Sequence, residues 1–321
     1  MPLVTIVTIT YNLVKMRREK QAKQCLESVR MQSYPFIEHL IIDGASTDST
    51  MDFLQPYAEG GDLVVYSEPD KGIYDAMNKG IAKAKGKYIC FLNTDDFFHD
   101  IRAVETSVEA LECSGAAYSF ANARLLYEYG KAVIWKGDIT KLLWGSHYCH
   151  QTMFVQTDVL RRINGFDLSY KVSADTELMM RLYAENVPYV YIDRCIVSYR
   201  VGGFSSQNQI QSRIDHSTAF YRHLGKQVGL SRKDCFLCWN LCLFDELPLE
   251  QQLDVIFRVP EKFGLEHLLH EYGQRLWKNG NFTQKKYYLF GFIPVWKCRV
   301  GWAKRKSYLF GLIPIMKAHY K

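Results

Sequence analysis

The segment Ile89–Phe98, ICFLNTDDFF, sets two adjacent carboxylates, Asp95 and Asp96, between apolar runs. Like charges side by side among aromatic residues are costly unless something offsets them. Mg²⁺ and Mn²⁺ take hard oxygen ligands, and Mg²⁺ is typically held by one or two carboxylates plus substrate phosphates. A divalent cation is one answer to the repulsion. A turn or helix start that favours Asp is the plainer one. Other polar groups stand at similar breaks in the pattern. Asp43 ends the apolar run His39–Ile42 and is followed by GASTDST. Asp70, Lys71 and Asp75 lie in SEPDKGIYDAMNKG, Ser67–Gly80. Asp175 and Glu177 lie in SADTEL, and His150 in CHQTMF. A carboxylate held near a hydroxyl can take its proton, and a histidine can border the pocket that the hydroxyl enters. An acidic helix start and a buried structural histidine are the competing explanations.

The elements that must position these groups alternate. Val4–Thr10, His39–Ile42, Leu63–Tyr66 and Tyr88–Leu92 read as strands, and Glu19–Met31 and Ile73–Ala84 have helical spacing. GASTDST suits a turn and a helix N-cap. Strand and helix in turn, with short connections, predict an α/β fold with a mostly parallel sheet flanked by helices. In such sheets ligands sit at the carboxyl ends of strands, where Asp43 and Asp95-Asp96 both fall. Further along, Ala117–Phe120, Val133–Trp135, Met153–Val155 and Val187–Ile192 are strand-like. Thr157–Ile163 and Ala174–Glu185 are helical, the latter with Ser173 as candidate N-cap. After Gly202-Gly203 the pattern turns helical to about Trp277. The expected organisation is a domain over 1–204, a helical region over 205–280 and a tail over 281–321.

The tail repeats itself: KKYYLFGFIPVWK (Lys285–Lys297) returns as RKSYLFGLIPIMK (Arg305–Lys317). All 34 acidic residues lie at or before Glu271, whereas eleven of the 40 basic ones follow it. A basic aromatic segment suits an anionic membrane interface; a hairpin-like appendage is the alternative. No nucleic-acid motif accompanies the charge, so nucleic acid is not an expected partner. No window of about 20 apolar residues is present to span a bilayer, and the N-terminal apolar run is too short for a signal segment. Nine scattered cysteines suit reduced thiols and a cytoplasmic setting. Cys235, Cys238 and Cys242 fall on one helical face without a fourth ligand, which reads as packing rather than a metal site.

Taken jointly, TITYN (Thr8–Asn12), IIDGASTDST (Ile41–Thr50), EPDKGIYDAMNKG, NTDD, HQTMF, INGFD, YKVSADTELMMRL and VGGFSS resemble the nucleotide-sugar glycosyltransferases of family 2, over roughly residues 3 to 206. The nearest pattern is among bacterial exopolysaccharide enzymes of the colanic-acid kind. The resemblance implies a GT-A fold and an inverting transfer of one sugar from a nucleoside-diphosphate sugar, with Mn²⁺ or Mg²⁺. By the same resemblance Asp43 reads the nucleotide base, while Thr8, Tyr11 and Asn12 line base and ribose. Asp70, Lys71 and Asp75 meet ribose and diphosphate. Asp95 and Asp96 belong to the metal motif, with Asp96 the expected direct ligand, and Asn93 departs from the fully acidic triplet. Asp175 matches the catalytic base, although Ala174 replaces the acid that often precedes it. His150 borders the acceptor pocket, with Glu177 a weaker acceptor-side candidate. The Gln-x-x-Arg-Trp signature of processive synthases is absent, so one sugar per encounter is expected. The acceptor would be a saccharide, lipid-linked in surface polysaccharide synthesis, reached from the inner face of the membrane. A nucleotidyltransferase and a catalytically silent membrane-docking protein of the same fold are the rivals.

Overall fold

The computed structural model describes residues 1–139, 142, 148–233 and 235, with the backbone of 285–289, 293–301, 304–309 and 313–319. It divides into two compact units, 1–224 and 225–321.

In the first unit the β-branched run Val4–Thr10 is strand β1, followed by α1 (Glu19–Arg30), β2 (Ile37–Asp43), α2 (Thr50–Glu59), β3 (Val64–Ser67), α3 (Ile73–Lys83) and β4 (Tyr88–Phe91). β1 is buried almost throughout, as befits a strand covered on both faces. Strands β3-β2-β1-β4 lie side by side and parallel. Their order reverses between β1 and β4, which opens a crevice at their carboxyl ends. The register sets Thr10 beside Asp43 and Asp43 beside Ser67. Helix α1 buries Ala22, Cys25, Leu26 and Val29, the stripe its spacing predicts. Helix α3 lies so close to β1 that a Cβ on Gly80 would meet Val7 at 2.5 Å.

The sheet then changes character. β5 (Phe97–Phe98), α4 (Ala103–Ser114), β6 (Tyr118–Leu126), β7 (Ala132–Trp135), β8 (Phe154–Gln156), α5 (Thr157–Arg162), α6 (Ala174–Ala184) and β9 (Tyr189–Arg200) follow. β8 joins β4 antiparallel, β6 joins β8 antiparallel, β9 joins β6 parallel, and β5 closes the edge antiparallel to β9. The parallel sheet expected from the alternation thus describes β1–β4, and the second half is mixed. The apolar pair that resumes after Asp95-Asp96 is β5, under a cluster including Phe98, Val104 and Phe154. α7 (Phe204–Gln207) and α8 (Gln209–His223) end the unit. α8 packs against α6, so the compact unit runs past the boundary expected near Phe204, to Leu224.

In the second unit, β10 (Lys285–Leu289), β11 (Ile293–Gly301), β12 (Lys304–Leu309) and β13 (Ile313–His319) form an antiparallel sheet in sequence order. Each copy of the repeat is one hairpin. The register shifts at matching positions, Tyr287/Tyr288 and Ser307/Tyr308. Most of the expected helical region, with Cys238 and Cys242, lies outside the described residues.

Candidate active site

The rim at the ends of β1 and β2 is built largely from groups that bind one another. Asp43 is buried. Its Oδ2 accepts from Ser46 N at 2.8 Å and from the Ser67 hydroxyl at 2.6 Å, and its Oδ1 from the Ser46 hydroxyl at 2.5 Å. Asn12 takes a positive φ of 49°, which Asn tolerates better than most residues. Its N–H donates to Ser46 Oγ and its Oδ1 accepts from Thr47 N. Asp48 accepts from Lys15 N, Thr50 N and the Thr50 hydroxyl, and Thr50 Oγ1 accepts from Leu13 N. The STDST run therefore ties the loop after β2 to the loop after β1. Thr8, expected to line the base, is buried with its hydroxyl 3.0 Å from His39 Nε2. Burial pushes the His39 imidazole down to about 3. What the rim leaves open is Tyr11, 52% exposed, and Asp70. Asp70 Oδ2 lies where a Cβ on Gly44 would come within 2.6 Å, beside the Tyr11 ring, while its Oδ1 accepts from Gly72 N. Asp75 accepts from Lys71 N and lies 3.9 Å from Lys79, a local closure of the start of α3. The Lys71 side chain is exposed.

At the end of β4 the two carboxylates have different surroundings. Asp96 is 1% exposed. Gln151 Nε2 donates to its Oδ2 at 2.5 Å and Arg200 N to its Oδ1 at 2.6 Å. Burial first, and then the Asp95 charge, push its carboxyl up to about 8, against those two hydrogen bonds. Both oxygens face N–H donors, an arrangement that the ionised form satisfies best. The Asp95 side chain is 23% exposed, and its Oδ2 meets Arg18 at 3.3 Å. The Arg200 guanidinium donates to the Asp95 carbonyl. Asn93 N donates to Gln151 Oε1, whereas Asn93 Oδ1 is buried without a hydrogen-bond partner among the described residues. Asp96, the expected direct metal ligand, has one protein donor on each oxygen, whereas Asp95 is engaged through Oδ2 by Arg18 and Asn93 Oδ1 has no partner among the described residues.

The third group comes from α6. Ser173 occupies its N-cap position, but the hydroxyl faces Ser212 Oγ at 3.0 Å rather than capping the helix. Asp175, in the first turn, has both oxygens engaged. His150 Nδ1 lies 3.0 Å from Oδ2, and the Tyr74 hydroxyl, which also reaches Val172 O, lies 3.0 Å from Oδ1. Burial works to raise the Asp175 carboxyl, but the His150 hydrogen bond and charge, with His216, hold it well below the usual carboxylate range. Glu177 is 1% exposed and binds His223 at 2.7 Å and Arg181 at 3.1 Å. Arg181 also donates to the carbonyls of Ile163 and Gly165. Glu177 is therefore a buried tie within α6 and α8. Burial first, and then the neighbouring Cys149, Asp96, Asp175 and Asp95, pushes the phenol of Tyr199 on β9 up.

Gln151 and Asn78 were not among the residues singled out from the sequence. Gln151 is fully buried next to His150 in one 3₁₀ turn, His150–Thr152. One residue of that turn meets Asp175 and the next meets Asp96 and Asn93. Asn78 of α3 exchanges two hydrogen bonds with Phe166, and Gly165, at φ 60°, leaves no room for a Cβ beside Asn78 Oδ1. The DAMNKG and INGFD motifs are thus two halves of one lock. Only their joint presence in the sequence hinted at it.

A divalent cation suits this donor set. Asp95 offers a part-exposed carboxylate and Asn93 an unused amide oxygen, both hard ligands. Among the described residues no group of three or more His, Cys, Asp or Glu is placed to hold a metal ion. The set therefore fits an ion that takes most ligands from phosphate and water.

Comparison with known proteins agrees with this layout. The model of Glycosyl transferase family 2 matches residues 5–163. An uncharacterized glycosyltransferase of Mycobacterium tuberculosis (MT1564) is 34% identical over 186 residues, covering 56% of this chain and 68% of that protein. A PGL/p-HBAD biosynthesis glycosyltransferase of Mycobacterium bovis is 28% identical over 213 residues, 64% of this chain and 80% of that one. Among solved structures, residues 1–349 of S. aureus TarS with UDP-GlcNAc align with a TM-score of 0.58 at 15% identity, covering 99% of each chain. The mannosyltransferase PcManGT of Pyrobaculum calidifontis, in complex with GDP-Man and Mn²⁺, aligns with a TM-score of 0.54 at 15% identity, covering 85% of this chain and 75% of that one. The fold is that of the GT-A glycosyltransferases. The chain belongs to glycosyltransferase family 2 and is a glycosyltransferase.

Proposed function

We propose that this enzyme moves one sugar from a nucleoside-diphosphate sugar to a hydroxyl of a saccharide acceptor, with inversion at the anomeric carbon. One observation carries the reading: neighbouring residues of a single turn, His150 and Gln151, anchor the Asp175 side and the Asp95-Asp96 side of one cleft. A single displacement needs leaving-group stabilisation on one side and a proton acceptor on the other.

On the donor side, Tyr11 offers an exposed ring for the base, and Asp70 an acceptor beside it. Asp43, expected to read the base, holds the loop that carries them. Asp95 and Asn93 would hold Mn²⁺ or Mg²⁺, which supplies charge to stabilise the departing diphosphate. Asp96 aims the segment, and Arg18 is within reach of the same anionic group. On the acceptor side, Asp175 and His150 face the incoming hydroxyl.

The M. bovis relative is named for PGL/p-HBAD biosynthesis, and this chain is proposed to work in surface saccharide synthesis in the same manner. A lipid-linked acceptor and docking on an anionic membrane agree with the basic, aromatic composition of residues 285–321. No helix among the described residues is long and apolar enough to cross a membrane. The catalytic domain is proposed to comprise 1–224.

The reading is tested by incubating the full chain with Mn²⁺ and UDP-glucose, UDP-GlcNAc, UDP-galactose or GDP-mannose. Release of nucleoside diphosphate from at least one donor is expected, and its dependence on added metal checks the cation. Failure of all four, with no UDP binding by calorimetry, would remove the donor assignment.

A further inference from the structure

The guanidinium groups of Arg200 and Arg18 both reach Asp95, but they are held differently. Arg200, at the end of β9, is committed: it donates to the Asp95 carbonyl and to Gln24 Oε1, and its Cζ lies 5.1 Å from the centre of the Phe97 ring. Arg18, just before α1, makes one ion pair among the described residues. Its Nη1 lies 3.3 Å from Asp95 Oδ2, and its side chain is 38% exposed. That separation is long for a charge-assisted hydrogen bond.

We propose that Arg18 is a diphosphate-binding residue that competes with the divalent cation for Asp95 Oδ2. Its guanidinium pairs either with that oxygen or with the phosphates of the donor, and a cation on the oxygen turns it to the phosphates. This rests on the transfer reaction proposed above.

The stem of Arg18 is fixed while its head is not. Arg18 N donates to Leu13 O and Arg18 O accepts from Ala22 N, both at 2.9 Å. Met16 N donates to Asn12 O, and Leu13 N to Thr50 Oγ1. The backbone from the donor-side rim to the start of α1 is thus a run of closed turns, and the side chain is what can move. On the other side of Asp95, a Cβ on Gly203 would lie 3.8 Å from the same Oδ2. The glycine brings the chain past that oxygen without a side chain to screen it.

Electrostatics choose between the two positions. One carboxylate oxygen cannot hold a divalent cation and a guanidinium at full strength, because the two positive charges repel. A cation taken by Asp95 and Asn93, both hard oxygen donors, therefore displaces Arg18. A nucleoside diphosphate brings negative charge to the same corner, and Arg pairs with phosphate through two parallel N–H donors. As the bond from the anomeric carbon to the diphosphate oxygen breaks, its electron pair stays on that oxygen. A guanidinium waiting there stabilises the charge.

The plainer alternative is an ion pair that only ties α1 to the end of β4. A part-exposed pair contributes little to stability. That region is already tied to α1 by Ser28, whose Oγ accepts from Phe98 N, and to the segment following α1 by Gln32, which bonds Asp100 O and Val104 N.

The test uses the full chain, Mn²⁺, whichever of UDP and GDP the wild type binds, and the matching nucleoside. Calorimetry reads the first two, ligand-detected NMR the nucleoside, and a melting temperature is taken for each variant. Arg18→Gln should bind Mn²⁺ alone about two- to fivefold more tightly, the range set by removing a part-exposed ion pair. It should bind the nucleoside diphosphate with Mn²⁺ roughly 10- to 100-fold more weakly, the range of a lost hydrogen bond between charged groups. Nucleoside affinity should stay within about twofold, and the melting temperature should hardly move. Arg18→Lys should restore the wild-type Mn²⁺ affinity and part of the diphosphate affinity, since Lys keeps the charge but not the fork. Unchanged diphosphate affinity in Arg18→Gln would confine Arg18 to the ion pair and overturn the proposal. Weaker Mn²⁺ binding in that variant would overturn it too, making Arg18 a support for the cation's ligand rather than its competitor. A wild-type protein that binds neither nucleoside diphosphate fails at the transfer reading above, and the proposal falls with it.

Discussion

The rim formed by β1 and β2 and the centre around the His150–Thr152 turn are both rich in polar motif residues, yet they are wired in opposite ways. At the rim nearly every acceptor has a protein donor: Asp43 has three, Asp48 three, and Asn12 uses both backbone and side chain. At the centre, Asn93 Oδ1 and His150 Nε2 are buried without partners among the described residues, while the rim has one such atom, Thr10 Oγ1. The rim spends most of its polarity on holding loops, and the centre keeps unspent capacity at positions proposed above to meet the metal and the acceptor. Residue type alone does not separate the two. Remaining hydrogen-bonding capacity does, because a buried group with no partner is costly and persists where a ligand completes it.

Three substitutions sharpen that contrast. The largest effect is expected at the centre. Asp95→Ala should weaken Mn²⁺-supported UDP binding by more than about 100-fold, beyond the 10–100-fold typical of losing an outer partner of a metal site. The melting temperature should hardly move. Unchanged affinity by calorimetry would place Asp95 with the scaffold. At the rim the signature should invert. Asp43→Asn leaves donors facing an amide, so urea unfolding should show a loss of roughly 1–3 kcal/mol. Donor KM should change less than about tenfold. A collapse of KM at constant stability would restore the base-reading role to Asp43.

The effect least visible near neutral pH concerns the strand beneath the rim. His39 is held neutral in the fold, at about 3, whereas an unfolded chain titrates near 6.5. Between those values the unfolded state binds the extra proton, so stability must fall as pH drops below about 6.5 and the loss ends near 3. The slope from this one group is at most about 1.4 kcal/mol per pH unit. Thermal melts of His39→Gln should show a shallower acid slope than the parent; an equal slope would clear His39 of the effect.

How much of this was legible beforehand depends on how local each signal is. β1, α1, α3 and β4 follow from periodicity, because each element's burial pattern is written within its own residues. The crevice followed from strand ends. Thr8 did not, since a strand-end residue can face the binding side or the core, and here His39 holds it inward. Asp96 is the better ligand by its place in a triplet, but the hydrogen bond it accepts from Gln151, 55 residues away, leaves no trace in that triplet. Glu177 likewise depends on His223, from an element assigned to a different domain. The strands of the second half were legible as short pieces, β8 among them, but their antiparallel pairing was not, and β5, two residues long, leaves no periodic trace.

The family model ends at residue 163, before Asp175. Yet the backbone entering α6 is fixed by Asp215 of α8, which accepts from Val172 N at 2.8 Å and Ser173 N at 3.2 Å. Anyone grafting a foreign acceptor-recognition module onto this chain should place the crossover beyond Leu224. A chimaera spliced at the glycine pair near 203 would discard the brace that keeps the helix carrying Asp175 in register.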